Sequence, residues 1–292
     1  MTTLIQALSG GQSLGPSFVQ AVGEIQSYST WIASQSISGD QTLSTILQTV
    51  KTHASDWYNT IYPTYLNMPS TILTSGQEIS GDLTMLISLA QQMQTGTSQT
   101  VEQQVQQYAQ SLTATLQSLQ SKTGALATAL TTFQTDLTGD SGNMLGGMRY
   151  IQNQIQSVNQ QLANSYGQLH SLKSAACPDK DKINACENTI NLLTQRLQGY
   201  QNDGNLFQQG IAQVQNAISG AAYLASFWQG INTDIANCIQ GLANIANDPP
   251  AVLLTDLQNN QKNWNNLAAI LQQISQQIAS PKAVNKEFSL TT

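Results

Sequence analysis

A chain of 292 residues with 9% charged residues, a net charge of −6 and Lys plus Arg totalling 10 has no basic surface for nucleic acid and little attraction for anionic lipid. The hydrophobic fraction of 40% supports a core, while aromatics at 6% suit thin helical seams better than a thick globular centre. No run approaches the ~20 apolar residues of a transmembrane helix, and Met1–Leu8 shows no basic region and no long apolar stretch of a cleavable signal peptide.

Gln, Asn, Ser and Thr take the place of charge, and Gln alone is roughly one residue in seven. A surface wetted by neutral amides and hydroxyls sets a small electrostatic barrier to side-by-side assembly. Such a composition also suits disorder, but apolar residues recur at helical spacing through most of the chain, which points to folded helices. The chain is expected to be water-soluble as made and, if exported, to leave by another route or with its leader removed.

In chain order, the first dozen residues read as a tail, and Pro16 suits a helix start. Phe18, Val22, Ile25, Tyr28 and Ile32 repeat at helical spacing. Ser38-Gly39-Asp40 interrupts, and Leu43, Ile46, Leu47 and Val50 resume. An aromatic cluster of Trp57, Tyr58, Tyr62 and Tyr65 stands among Pro63 and Pro69, and the first hairpin turn is expected at Asn67–Ser70. A helix through Ile72, Ile79, Leu83, Leu86 and Leu89 follows. Thr95–Ser98 reads as a turn, with Ser98 as N-cap and Glu102 favouring the helix start.

The clearest pattern then begins. Val101, Val105, Tyr108, Leu112, Leu116, Leu119, Leu126, Leu130, Phe133 and Leu137 form a seam of over ten turns. Gly139, Gly142, Gly146 and Gly147 loosen it, and Ile151, Ile155, Val158, Leu162, Leu169 and Leu172 carry the stripe on. The glycines are either a tight turn or a hinge inside one helix of roughly 110 Å. Cys177-Pro178-Asp179 is a stop and restart. A second long stripe runs from Ile183 to Leu242, Asp248-Pro249-Pro250 ends it, and a last helix carries Leu253 to Ile278, closed by Ser280-Pro281. The expectation is an all-α, elongated up-down bundle of about five helices, three of them long, packed antiparallel in coiled-coil fashion. It is read as a single domain, with a tail bundle from 14–95 and 220–280 and a head tip near 170–190.

Little of this sequence suggests chemistry. Cys177 and Cys186 flank the polar turn, and a disulfide between them is expected to clip the hairpin tip. Cys238 reads as a small buried apolar residue. His53 and His170 are far apart with no second ligand at metal spacing, so neither a metal nor a cofactor is expected. No catalytic residue stands out, and Gly139 to Gly147 lacks the strand and Lys of a phosphate loop. Two uncharged segments are candidate membrane or partner contacts: one with Leu83, Leu86 and Ile87, the other with Ile218, Tyr223, Leu224 and Phe227. Burial inside the bundle is the plainer reading of both.

Helix order and length resemble the α-helical pore-forming toxins of the cytolysin A and haemolysin BL kind. Phe227-Trp228-Gln229-Gly230-Ile231-Asn232-Thr233-Asp234-Ile235 is similar to the aromatic-then-acid stretch late in the returning helix of such toxins, and Trp264 on the last helix fits. One departure stands out. Where the family often carries an apolar tongue between its longest helices, this chain has the short, charged stretch Cys177 to Cys186. The resemblance therefore implies a secreted, polar-headed component of a multipartite cytolytic toxin. It would pair with other toxin subunits or with itself in a ring on a target-cell membrane. The alternative is a non-lytic secretion-system tip, translocator or coiled-coil spacer; an enzyme is not expected.

Overall fold

The computed structural model describes residues 14–96, 98–243 and 249–278. The expected tail over the first dozen residues, Thr97, Asp248 and the segment after Ser280 lie outside the described residues. The elements are α1 (Leu14–Ala33), α2 (Gln41–Asp56), a π-helical turn (Trp57–Ile61), α3 (Tyr62–Thr95), α4 (Gln99–Lys173), α5 (Lys180–Ala243) and α6 (Pro250–Ile278). Because α2, the π turn and α3 follow without a gap, the described residues form five continuous helices and no strand.

The all-α expectation holds, and so do most of the helix boundaries. Asp40 Oδ1 accepts from the backbone N–H groups of Thr42 and Leu43 at 3.0 and 3.1 Å, capping α2. Asp179 Oδ1 does the same for Asp181 and Lys182 at the start of α5. The Val101 N–H lies 3.4 Å from Ser98 Oγ at the start of α4. Gly39, at φ 92, supplies the left-handed residue of the α1–α2 reversal.

The turn expected at Asn67–Ser70 is absent, and Pro69 sits inside α3. Tyr65, Met68, Pro69 and Ile72 are all buried, so the apolar seam runs straight through the proline. Burying large side chains at about 1.5–3 kcal/mol each outweighs a proline penalty of about 3 kcal/mol. The π turn just upstream, where the Tyr62 N–H returns to the Trp57 carbonyl, leaves room beside Pro63, which has no N–H for Asn59.

The chain divides into two compact units. The first takes the described residues up to Gln26, then Asp56–Gln134, and those from Ser219 on. Its core is aromatic: Phe18 stacks on Tyr65 at 5.6 Å, Phe227 meets Phe18 edge-on at 4.8 Å, and Trp57 stacks on Phe133 at 5.8 Å. Thr123 Oγ1 donates to Asn232 Oδ1 at 3.0 Å, joining α4 to α5. Helix α6 packs along α3, and the Trp264 indole lies over Gly76. Helices α1 and α5 approach most closely at Gly220, where an added Cβ would stand 2.6 Å from the Ala21 carbonyl oxygen.

The second unit comprises Ser27–Ser55 and Thr135–Ile218. Phe207 and Ile46 close over Gly147, and Trp31 and Met144 over Gly210. Asp40 Oδ2 accepts from the Tyr150 hydroxyl at 2.9 Å and from that of Tyr200 at 3.4 Å, tying the α1–α2 loop to α4 and α5. The α4–α5 turn is exposed, with Lys173 and Glu187 paired at 2.8 Å across its base. The expected Cys177–Cys186 disulfide is not formed. Cys177 lies exposed in the turn, whereas Cys186, on the second turn of α5, donates to the Ser165 carbonyl of α4 at 3.3 Å. The second thiol therefore faces the partner helix rather than the turn.

Gly220→Ala should lower stability by about 1–3 kcal/mol, because the methyl meets backbone that cannot rotate away. Denaturant unfolding of the full chain measures it.

Candidate functional site

Helix α4 runs unbroken for 75 residues, so the four glycines lie within a helix rather than a turn. Of the four, Gly147 alone is closely packed, since a Cβ there would stand 3.3 to 3.4 Å from the Phe207 and Ile46 side chains. Gly139, Gly142 and Gly146 are exposed, and a Cβ on any of them meets nothing within 4 Å. Each glycine weakens a helix by about 0.8–1.0 kcal/mol relative to Ala, and packing gives no reason for these three.

The buried face of the same stretch is also weak. Along the seam, Leu130, Phe133 and Leu137 are followed by Asp140 and Ser141 before Met144 and Ile151 restore apolar contact. Asp140 is 0% exposed and Ser141 5%. Low propensity on one face and a polar core on the other therefore coincide within two helical turns.

Asp140 is held by His53 of α2, with Nδ1 and Oδ1 2.8 Å apart and the imidazole 31% exposed. Among the described residues, His53 is the only cationic group at ion-pair distance from Asp140. No protein donor reaches Oδ2, the other carboxylate oxygen, and the buried Tyr28 hydroxyl likewise has no partner. Burial pushes the Asp140 carboxyl above its ordinary value; the His53 hydrogen bond and charge pull it back, and Asp136, one turn away, raises it again. Burial and then the Asp140 charge push the Tyr28 hydroxyl far up. Ser141 Oγ accepts from Gln215 Nε2 of α5 at 3.0 Å. The His53–Asp140 contact ties α2 to α4.

The sequence-expected contact residues lie mostly inside. Leu83, Leu86, Leu224 and Phe227 are buried, and Ile87, Ile218 and Tyr223 half-buried. Tyr223 and Phe227 come together on Phe18. Leu83 lines a narrow apolar cavity with Leu112, Leu116 and Trp264, away from the Phe18 cluster. Cys238 is buried as expected, its thiol pushed up to about 12, chiefly by desolvation. Among the described residues, no three His, Cys, Asp or Glu side chains are placed to hold a metal ion, and no helix is long and apolar enough to cross a membrane.

From the sequence His53 reads as isolated, and Asp140 falls in a glycine stretch that is either a turn or a hinge. One signal was available: Asp140 falls three residues after Leu137 and four before Met144, squarely on the seam.

No protein-family model matches the chain, and no curated protein matches it in sequence. Solved structures do share its fold. XaxA from Xenorhabdus nematophila superposes with a TM-score of 0.60, covering 91% of this chain and 94% of that one at 12% identity. The pore form of AhlB, from the tripartite α-pore-forming toxin AHL of Aeromonas hydrophila, gives 0.57, with coverage of 89% and 99% at 16% identity. Soluble SmhA, from the tripartite α-pore-forming toxin Smh of Serratia marcescens, gives 0.53, with coverage of 94% and 96% at 12% identity. The chain thus has the fold of components of tripartite α-pore-forming toxins along most of its length.

Gly139→Ala, Gly142→Ala and Gly146→Ala should each raise stability by about 0.8–1.0 kcal/mol, whereas Gly147→Ala should not; denaturant midpoints compare them directly. His53→Ala should cost about 3 kcal/mol, the low end for stranding a buried charge, because the imidazole keeps some solvent. Asp140→Asn should cost less, a difference that a double-mutant cycle resolves.

Proposed function

We propose that this protein is a secreted component of an α-helical pore-forming cytotoxin, assembling with copies of itself or with partner subunits on a target membrane. The observation that carries the reading is a fold shared, nearly end to end, with AhlB in its pore form and with soluble SmhA. Further support comes from the helix that a toxin of this kind must rearrange. In α4 three exposed glycines with no packing role sit opposite the only buried carboxylate–imidazole pair among the described residues.

In this reading Gly139, Gly142, Gly146 and Gly147 act as the hinge. Helices that cover one another in solution separate there and repack against neighbours in a ring. Leu83, Leu86, Ile87, Ile218, Tyr223, Leu224 and Phe227 are the side chains offered to lipid or partner when the bundle opens. The exposed turn between α4 and α5 carries Asp179, Lys180, Asp181 and Lys182 and no apolar tongue. A chain with such a head needs a partner to enter the bilayer, and a net charge of −6 favours zwitterionic over anionic lipid.

Dye release from phosphatidylcholine vesicles tests the proposal, using the chain alone and mixed with similar-sized helical proteins encoded beside it. Release is expected in at least one mixture; none in any combination overturns the reading. In the active mixture, the Gly139→Ala/Gly142→Ala/Gly146→Ala variant should slow release by about tenfold or more, because about 2–3 kcal/mol of added helix stability opposes opening.

A further inference from the structure

We propose that His53 and Asp140 form a proton-operated latch, which holds the glycine segment of α4 against α2 while the pair carries a proton and releases it when that proton is lost. The inference concerns the folded chain itself and does not depend on the toxin reading.

The geometry confines the charge. The Asp140 side chain is wholly buried, one oxygen is 2.8 Å from the imidazole, and no protein donor reaches the other. A carboxylate in that position is tolerable only with a cation beside it or a proton on it. The surrounding elements offer no other compensation. Helix α1 presents the Tyr28 phenol, whose hydroxyl is unpartnered and feels the carboxylate charge. Helix α2 presents His53. Helix α4 itself adds Asp136, a like charge that worsens the problem. Helix α5 presents the neutral Gln215, which is engaged with Ser141. The imidazole is part-exposed, so the proton has a route to solvent.

The two groups titrate as a pair, and one proton is shared between them whichever site it occupies. When the segment is open, that proton leaves a solvated imidazole near its ordinary value of about 6.5. When it is closed, losing the proton leaves a bare buried carboxylate, so the pair holds on to it at higher pH. Burial raises the Asp140 value in the same direction. The closed form therefore binds the extra proton, its advantage is present below the imidazole range, and it fades as pH rises through the closed-state value. Mild acid tightens the latch and mild alkali frees it.

What is freed is the softest stretch of α4. Gly139 and Gly142 lie either side of Asp140 and add no side-chain contact, so beside the His53 tie the polar seam holds there by the neutral Gln215–Ser141 hydrogen bond.

Amide hydrogen exchange across residues 136–147 of the full chain tests this between pH 6 and 9, with protection factors corrected for the intrinsic rate. Wild-type protection should fall above the imidazole range by up to about tenfold per pH unit, the limit for one linked proton. His53→Gln and Asp140→Asn should each flatten the profile. A flat wild-type profile overturns the latch. So does an undiminished slope in both variants, which would assign the loosening to other groups. The readout needs no membrane or partner, so it can fail while vesicle release succeeds, and the reverse.

Discussion

The structure depends on apolar seams that stay in phase over very long helices. A lone helix is marginal in water, and this surface adds little, since the ion pairs Lys173–Glu187 and Lys182–Asp179 are exposed and screened by solvent. Side-chain burial along the stripes from Phe18 to Ile274 therefore carries the stability. Where a stripe stays apolar it overrides local chemistry, as at Pro69. Where it turns polar, at Asp140 and Ser141, hydrogen bonds to His53 and Gln215 replace the apolar contact.

The two units use this rule differently. The first has a core of large rings, Phe18, Trp57, Tyr65, Phe133, Phe227 and Trp228, locked around a backbone approach at Gly220 that admits no side chain. The second relies on polar ties as well. Asp40 caps α2 with one oxygen and receives two tyrosine hydroxyls with the other, and His53 is hydrogen-bonded to Asp140.

Glycines divide along the same line. Gly220 is demanded by the Ala21 carbonyl that lies against it, and Gly147 is closely covered by Phe207 and Ile46. Gly139, Gly142 and Gly146 face open space in a helix interior, where almost any other residue would be more stable. A segment weak on both faces is the part of α4 least held by its own packing.

Periodicity alone determined the fold class, the long α4 and α5 stripes, the cap at Ser98, the interruption at Ser38-Gly39-Asp40 and the turn before α5, because each is a local consequence of spacing or of one side chain beside free N–H groups. It could not weigh Pro69 against the seam on both sides of it, since that balance is set by burial against other helices. Nor could it choose between turn and hinge at Gly139–Gly147, or show that Cys186 faces Ser165 rather than Cys177. His53 and Asp140 lie 87 residues apart, and only the packing of α2 on α4 decided that one is the other's counter-charge. Local sequence encodes which face of a helix is apolar; which partner that face meets is a property of the assembled bundle.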